Sequence, residues 1–239
     1  MQKVLLTGAS KGIGQEIAKI LFQASYKVFI TARDEKALQN TPSAGYLAGD
    51  LLKENFINEL IKTAEKTLDG IDILINNAGF YIWSPIERTE QTDIEKTFIL
   101  NLQIPYQLCQ AVVPNMKQQK KGRIINIGSI SGIVGEANAS LYSASKAGLL
   151  GLTKALALEL AENNITVNLI SPGWVKTALT ADAFAEENNF SETEQIEIIP
   201  QRRFIEPSEI AQLVKYLISD SAKGITGQNI NLCAGLSLG

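Results

Sequence analysis

Tyr142-Ser143-Ala144-Ser145-Lys146 places a phenol and an ammonium four residues apart. On a helix both side chains lie on one face. A phenol with an ordinary pKa of about 10 exchanges protons poorly near neutral pH. An adjacent ammonium stabilises the phenolate and lowers that value. Such a pair can give a proton to an alkoxide or take one from an alcohol. The spacing alone arises by chance roughly 0.4 times in a chain of this composition, so its company decides. Ser129 stands thirteen residues before Tyr142, just after a predicted strand. Its hydroxyl can donate to a carbonyl oxygen and polarise it. Ser131 is the rival donor and reads as a turn residue. Asn101 sits among apolar neighbours in Phe98-Ile99-Leu100-Asn101-Leu102. Asn is disfavoured inside a helix, so it marks either a functional amide or a buried bridge between two helices.

The chain has no histidine. That excludes Ser-His-Asp and Cys-His catalysis and His-ligated zinc, and no metal is expected. Proton chemistry must then run on Tyr, Lys, Asp, Glu or water. The two cysteines, Cys109 and Cys233, cannot form a disulfide framework. They read as small buried hydrophobes in a reducing compartment. At 239 residues, 45% hydrophobic and 20% charged, the chain has the balance of a soluble globular protein. A net charge of −3 argues against nucleic-acid or anionic-membrane partners. No apolar run approaches the roughly 20 residues of a membrane span, and the start lacks a signal-peptide layout. The expectation is a cytoplasmic protein.

The elements that must position these groups alternate. Strands are expected at 3–7, 27–32, 46–48, 71–75, 123–128, 165–170 and 228–232. Helices are expected at 13–24, 54–68, about 91–118, about 140–162 and 207–219. Most strands are apolar throughout, as in a parallel sheet covered on both faces. The fold class is α/β: a single doubly wound, Rossmann-type domain over 1–239 with a seven-stranded parallel sheet. No linker or composition break marks a second domain.

The first strand runs into Thr7-Gly8-Ala9-Ser10-Lys11-Gly12-Ile13-Gly14. Glycines there let the backbone turn tightly and let a pyrophosphate approach the helix N-terminus. A glycine-rich turn without ligand is the plain alternative. The spacing departs from the common dinucleotide fingerprint and resembles the short-chain dehydrogenase/reductase family. Asn76-Asn77-Ala78-Gly79, Ser129, Tyr142/Lys146 and Pro172-Gly173-Trp174-Val175-Lys176-Thr177 follow in the family's order, so the resemblance covers nearly the whole chain. Within the family the look is that of the 3-oxoacyl-[acyl-carrier-protein] reductases.

The resemblance implies an NADP(H) site formed by Gly8, Ser10, Lys11, Gly12, Ile13 and Gly14. Asn77, Ala78 and Gly79 would flank the adenine ribose, and Pro172, Gly173, Val175 and Thr177 the nicotinamide amide. Lys146 would hold a ribose while serving Tyr142, and Asn101 would hold a water that links Lys146 to solvent. Asp50, with Leu51 beside it, would meet the adenine; an exposed acid capping the next helix is an equal reading. The second strand ends Thr31-Ala32-Arg33, with Ala32 where an NAD-binding site usually carries an acid. Arg33 and Lys11 can attract a 2′-phosphate, so NADP(H) is expected over NAD(H); two solvated surface cations are the alternative. The final Leu232-Cys233-Ala234-Gly235 departs from the Asp-Gly-Gly of many members.

The implied activity is reduction of a carbonyl to an alcohol, with Asn101, Ser129, Tyr142 and Lys146 as the catalytic set. A dehydrogenase of a sugar, steroid-like or other secondary alcohol is the alternative, and a non-catalytic sensor the remote one. Residues 178–206 are long for a connection and suit a substrate lid, acidic over 186–197. Phe80, Tyr81 and Trp83 could wall an apolar pocket or pack in the core. Lys117, Lys120, Lys121 and Arg123 could dock an acidic acyl carrier protein, or form a solvated strand end. Helix 140–162 is apolar around most of its circumference, which calls for a partner subunit in a homodimer or homotetramer.

Overall fold

The structure is a computed structural model, and it describes residues 1–177 and 191–238. Seven parallel strands form one sheet: β1 (Lys3–Thr7), β2 (Lys27–Ala32), β3 (Gly45–Ala48), β4 (Ile73–Asn76), β5 (Gly122–Ile127), β6 (Ile165–Pro172) and β7 (Asn229–Leu232). Their order across the sheet is β3-β2-β1-β4-β5-β6-β7. Every pairing is parallel, so each connection crosses a face of the sheet.

Alternation along the strands fills two cores. Val4, Leu6, Ile30, Ile73 and Ile75 pack with Ile17 and Leu21 of α1 (Gly12–Gln23) on one face. Leu5, Phe29, Leu74 and Ile124 point to the other, against α3 (Phe56–Leu68), following the short α2 (Glu35–Gln39). That second core continues into α5 (Ile104–Gln119) and α7 (Ser140–Leu160). Truncating a fully buried residue such as Leu74 to Ala costs about 2–5 kcal/mol in such a core. α9 (Pro207–Leu217) covers the first face beside α1 through Ile210 and Val214.

The helix expected over 91–118 is divided. α4 (Gln91–Phe98) passes into a π-helical turn at Ile99–Gln103 before α5 begins. Pro105 has no N–H to close an α-helical bond to the Asn101 carbonyl four residues back, and the turn widens there. Three short helices were not expected: α2, α6 (Ser131–Val134) and α8 (Glu192–Ile198). The tyrosine helix stops at Leu160 and continues as a single 3-10 turn, ended by Asn164 in the left-handed region with φ 56°.

The basic group at 117–123 lies at the wrong edge of the sheet to serve a site after β5. Lys120, Lys121 and Arg123 precede or open β5, and a six-residue strand puts roughly 20 Å between them and Ser129. Arg123 is 4% exposed and donates to the carbonyls of Gly122 and Asn164. Lys121 and Arg123 both face Asp220 at 3.6 Å, and Lys117 faces Glu159 at 3.9 Å.

Candidate active site

β1 and β4 are neighbours from which the chain winds in opposite directions, and a crevice opens at their carboxyl ends. The loops there are tied together. Thr7 Oγ1 accepts from the N–H groups of Asn77 and Ala78, each at 3.1 Å. Asn77 Nδ2 donates to the carbonyls of Thr7 (3.0 Å) and Gly8 (2.9 Å). A Cβ on Gly8, at φ +70°, would lie 2.8 Å from the Ala78 Cα. One on Gly14 would collide with the Gly8 carbonyl. The glycines are therefore demanded by the closeness of the backbones as well as by any ligand.

The loop's residues also fit a dinucleotide. α1 begins with no side-chain cap and no acid in its first turn, leaving its N–H groups open to an anion. Lys11 and Arg33 are exposed and form no ion pair among the described residues. The neighbouring acid, Asp34, is committed: its Oδ1 accepts from Ala37 N–H at 3.0 Å and caps α2. Asp50 Oδ1 accepts from Leu52 N–H at 3.0 Å, and Leu51 is buried in the second core.

Farther along the crevice a cavity of about 460 Å³ is lined by Ser129, Tyr142, Lys146 and Gly79 together with Ile13, Pro172, Gly173, Val175 and Thr177. The tyrosine helix is held at its depth by a buried polar line. Asn76 Nδ2 donates to Asn126 Oδ1 at 2.8 Å, and Asn126 Nδ2 donates to Thr153 Oγ1 at 2.8 Å. Thr153 lies two turns beyond Lys146 on the same face of α7, so this line fixes the pair's rotation as well as its depth.

Lys146 is 5% exposed, and its Nζ donates to the Ile127 carbonyl at 2.8 Å. The ammonium stands 5.6 Å from the Tyr142 ring centroid. Burial lowers the Lys146 pKa to about 8. Burial pushes the Tyr142 phenol up to about 12; its hydrogen bond with Ser129 pulls it down, and nearby Glu136 adds to the rise. Lys146 is not among the groups that shift the phenol, and desolvation of the phenolate, the largest effect, raises it instead of the lowering expected from the ammonium. At neutral pH this phenol carries its proton.

Asn101 is fully buried and its amide is engaged on both sides. Oδ1 accepts from Phe80 N–H at 2.7 Å, and Nδ2 donates to Phe80 O at 2.8 Å and to Ser145 Oγ at 3.0 Å. The side chain bridges the loop after β4 to α7. A Cβ on Gly79 would lie 3.2 Å from Asn101 Oδ1, a tight contact, and 3.5 Å from Lys146 Nζ, an ordinary one.

Two participants, Ser131 and Glu136, were misread or missed in the sequence, and a third, Tyr81, was read there only as an apolar wall. Ser131, read as a turn residue, opens α6 inside the cavity wall, and Ser129 Oγ donates to its Oγ at 3.0 Å. Ser131 Oγ in turn donates to Glu136 Oε2 at 2.6 Å, and Tyr81 OH donates to Glu136 Oε1 at 2.7 Å. The Tyr81 ring meets Tyr142 edge-on, with centroids 4.9 Å apart. One signal for Glu136 was available: it is the sole charged residue between Ser129 and Tyr142. Phe80 and Tyr81 line the cavity as an apolar wall requires, whereas Trp83 is not part of the lining. Of the lid segment, residues 178–190 lie outside the described residues. In α8, Gln195 and Ile198 line the cavity and Glu192, Glu194 and Glu197 are exposed.

A family model described as enoyl-(acyl carrier protein) reductase matches residues 8–237. Carbonyl reductase family member 4 of Xenopus laevis is 38% identical, over 97% of this chain and 96% of that one. The 3-oxoacyl-[acyl-carrier-protein] reductase FabG of Rickettsia typhi is 36% identical, over 97% and 95%. The chain belongs to the short-chain dehydrogenase/reductase family. A crystal structure of a point variant of actinorhodin polyketide ketoreductase with NADPH superimposes with a TM-score of 0.94 at 33% identity, covering 99% of this chain and 97% of that one. As a short-chain dehydrogenase/reductase the protein is an oxidoreductase of doubly wound fold, related to carbonyl-reducing enzymes. Among the described residues no helix is long and apolar enough to cross a membrane.

Proposed function

We propose that the protein reduces a carbonyl compound to an alcohol with NADPH, and that Ser129, Tyr142, Lys146 and Asn101 form its catalytic set. The observation that carries the reading is the shared cavity in which a protonated Tyr142 stands beside the buried, charged Lys146. A phenol that keeps its proton at neutral pH is prepared to donate it, which is the requirement of reduction.

Gly8, Ser10, Lys11, Gly12, Ile13, Gly14, Asn77, Ala78, Gly79, Pro172, Gly173, Val175 and Thr177 would hold the dinucleotide, with Asp50 and Leu51 beside the adenine. When bound, that group supplies the hydride. Ser129 turns its single hydroxyl hydrogen from Ser131 Oγ to the substrate's carbonyl oxygen and aligns it beside Tyr142. Tyr142 gives its proton to that oxygen as negative charge develops on it. Lys146 stabilises the phenolate left behind. The Asn101 amide is spent on Phe80 and Ser145, so its main-chain carbonyl in the widened turn is the group we assign to a proton-relaying water. Arg33 and Lys11, neither of them held in an ion pair among the described residues, favour a 2′-phosphate and hence NADPH.

The substrate we favour is a 3-oxoacyl thioester, in keeping with the relatives' names, with an acyl carrier protein as candidate partner. The described cysteines are both free and buried, which suits a reducing, cytoplasmic setting. Leu158 on α7 is 83% exposed and Tyr106 on α5 is 51% exposed, and a second copy covering that face gives the dimer or tetramer we expect. The test is consumption of NADPH and of NADH with a panel of acetoacetyl thioesters, esters and simple ketones. Turnover with NADPH supports the reading; cofactor binding without turnover on any carbonyl overturns it.

A further inference from the structure

Two charged side chains line the described part of the cavity, Lys146 and Glu136. They occupy different places. Lys146 Nζ faces the Gly79 and Asn101 side and is bonded to the Ile127 carbonyl. Glu136 stands on the Ser131 side, one hydroxyl removed from Ser129: Ser129 donates to Ser131, and Ser131 to Glu136. Glu136 is half-buried and pairs with no Lys or Arg among the described residues. Residues 178–190 contain Asp182, Glu186 and Glu187 and no Lys or Arg, so they bring no cation to neutralise it. Each carboxylate oxygen accepts one protein hydrogen bond, Oε1 from Tyr81 and Oε2 from Ser131, and an ionised carboxylate has about four acceptor sites. Negative charge therefore stands one hydroxyl away from Ser129, where the carbonyl would be polarised.

We propose that Glu136 is a specificity-determining residue that rejects carbonyl compounds carrying a carboxylate near the carbonyl and so restricts the site to neutral substrates such as 3-oxo thioesters, 3-oxo esters and ketones. The inference rests on the carbonyl-reductase reading above and narrows its substrate class. A 3-oxo acid bound with its carbonyl on Ser129 and Tyr142 would bring its carboxylate into a half-buried space already holding one uncompensated negative charge. Like charges so placed repel each other, and the half-burial of Glu136 leaves that repulsion only partly screened by water. The ester or thioester of the same acid presents only a neutral carbonyl there. Its apolar remainder can rest on Val134 and Ile198, which line the same cavity. This is selection by an opposing element rather than by an added attraction.

The experiment compares ethyl acetoacetate with acetoacetate at fixed saturating NADPH, in the wild type and in Glu136→Gln and Glu136→Asp. The wild type should prefer the ester in kcat/KM. Glu136→Gln keeps the shape and removes the charge, and should shrink that preference by about tenfold or more, chiefly by lowering the KM or inhibition constant of acetoacetate. Glu136→Asp keeps the charge and should keep the preference, whatever its absolute rate. NADPH binding by fluorescence confirms that each variant is folded. An unchanged ester-to-acid ratio in Glu136→Gln, or an equal loss on both substrates, overturns the inference while leaving carbonyl reduction in place. A folded wild type that binds NADPH and reduces neither compound, nor any other carbonyl in the panel, overturns the reductase reading and this inference with it.

Discussion

Asn101 grips both main-chain polar groups of Phe80, accepting from its N–H at 2.7 Å and donating to its carbonyl at 2.8 Å. The remaining amide hydrogen goes to Ser145, the residue before Lys146. One buried side chain thus fixes the loop carrying Phe80 and Tyr81 against the helix carrying Tyr142 and Lys146. Replacing Asn101 with Ala leaves the part-buried N–H and carbonyl of Phe80 without this partner. We expect a loss of about 2–3 kcal/mol of stability, read by urea denaturation, together with a fall in kcat. Full stability in Asn101→Ala would contradict the bridging role.

Tyr142→Phe removes the proton donor and little volume. Reduction should fall by about 100- to 10,000-fold, the usual worth of a positioned acid. NADPH affinity, measured by fluorescence, should stay within a small factor of the wild type. Retained turnover would show that another group supplies the proton.

The pH dependence follows from Lys146. Burial lowers its pKa to about 8 from the ordinary value of 10.5, while Tyr142 stays protonated to about 12. The ammonium that supports Tyr142 is present below about 8 and is lost as pH rises through that value. Reduction should therefore decline above about pH 8, well before the phenol itself ionises. A flat profile of kcat/KM to pH 10 or beyond would contradict this assignment.

Arg33 lies at the end of β2 with its neighbouring acid occupied by the α2 cap. Arg33→Ala should weaken NADPH binding by about tenfold or more, the worth of a charge-assisted hydrogen bond to phosphate, and leave NADH binding nearly unchanged. Titration with both dinucleotides checks it. Equal effects on the two would remove the basis for an NADPH preference.

Lys117, Lys120 and Lys121 sit at the amino edge of the sheet, away from the cavity at the carboxyl edge. Replacing all three with Gln should leave kcat/KM for a carrier-borne 3-oxoacyl substrate within about twofold of the wild type, because the long-range field of solvated charges is screened over about 10 Å. A large rise in KM for the carrier-borne substrate alone would return the patch to a docking role.

The order of elements and the doubly wound class were written in local pattern. Apolar runs such as Ile73–Asn76 and Gly122–Ile127 are buried throughout, and this leaves a parallel sheet covered on both faces as the natural outcome. Gly8, Gly14, Asn77, Tyr142 and Lys146 were legible because their spacing is set by single strand–loop and helix geometries, which act over a few residues. The hydrogen bonds that join Glu136 to Ser131 and Tyr81 were not. Their meeting depends on two loops, separated by 55 positions along the chain, arriving at the same edge of the sheet. The fate of Asn101 was equally hidden: Pro105 hinted at a break, but only the approach of Phe80 and Ser145 decided that its amide would be a bridge. Likewise a run of cations reads the same at either end of a strand, and only strand direction put Lys120, Lys121 and Arg123 at the far edge. Local backbone preference and hydrophobic period are encoded residue by residue. Charge placement and hydrogen-bond partnership across the crevice arise only when distant segments are packed together.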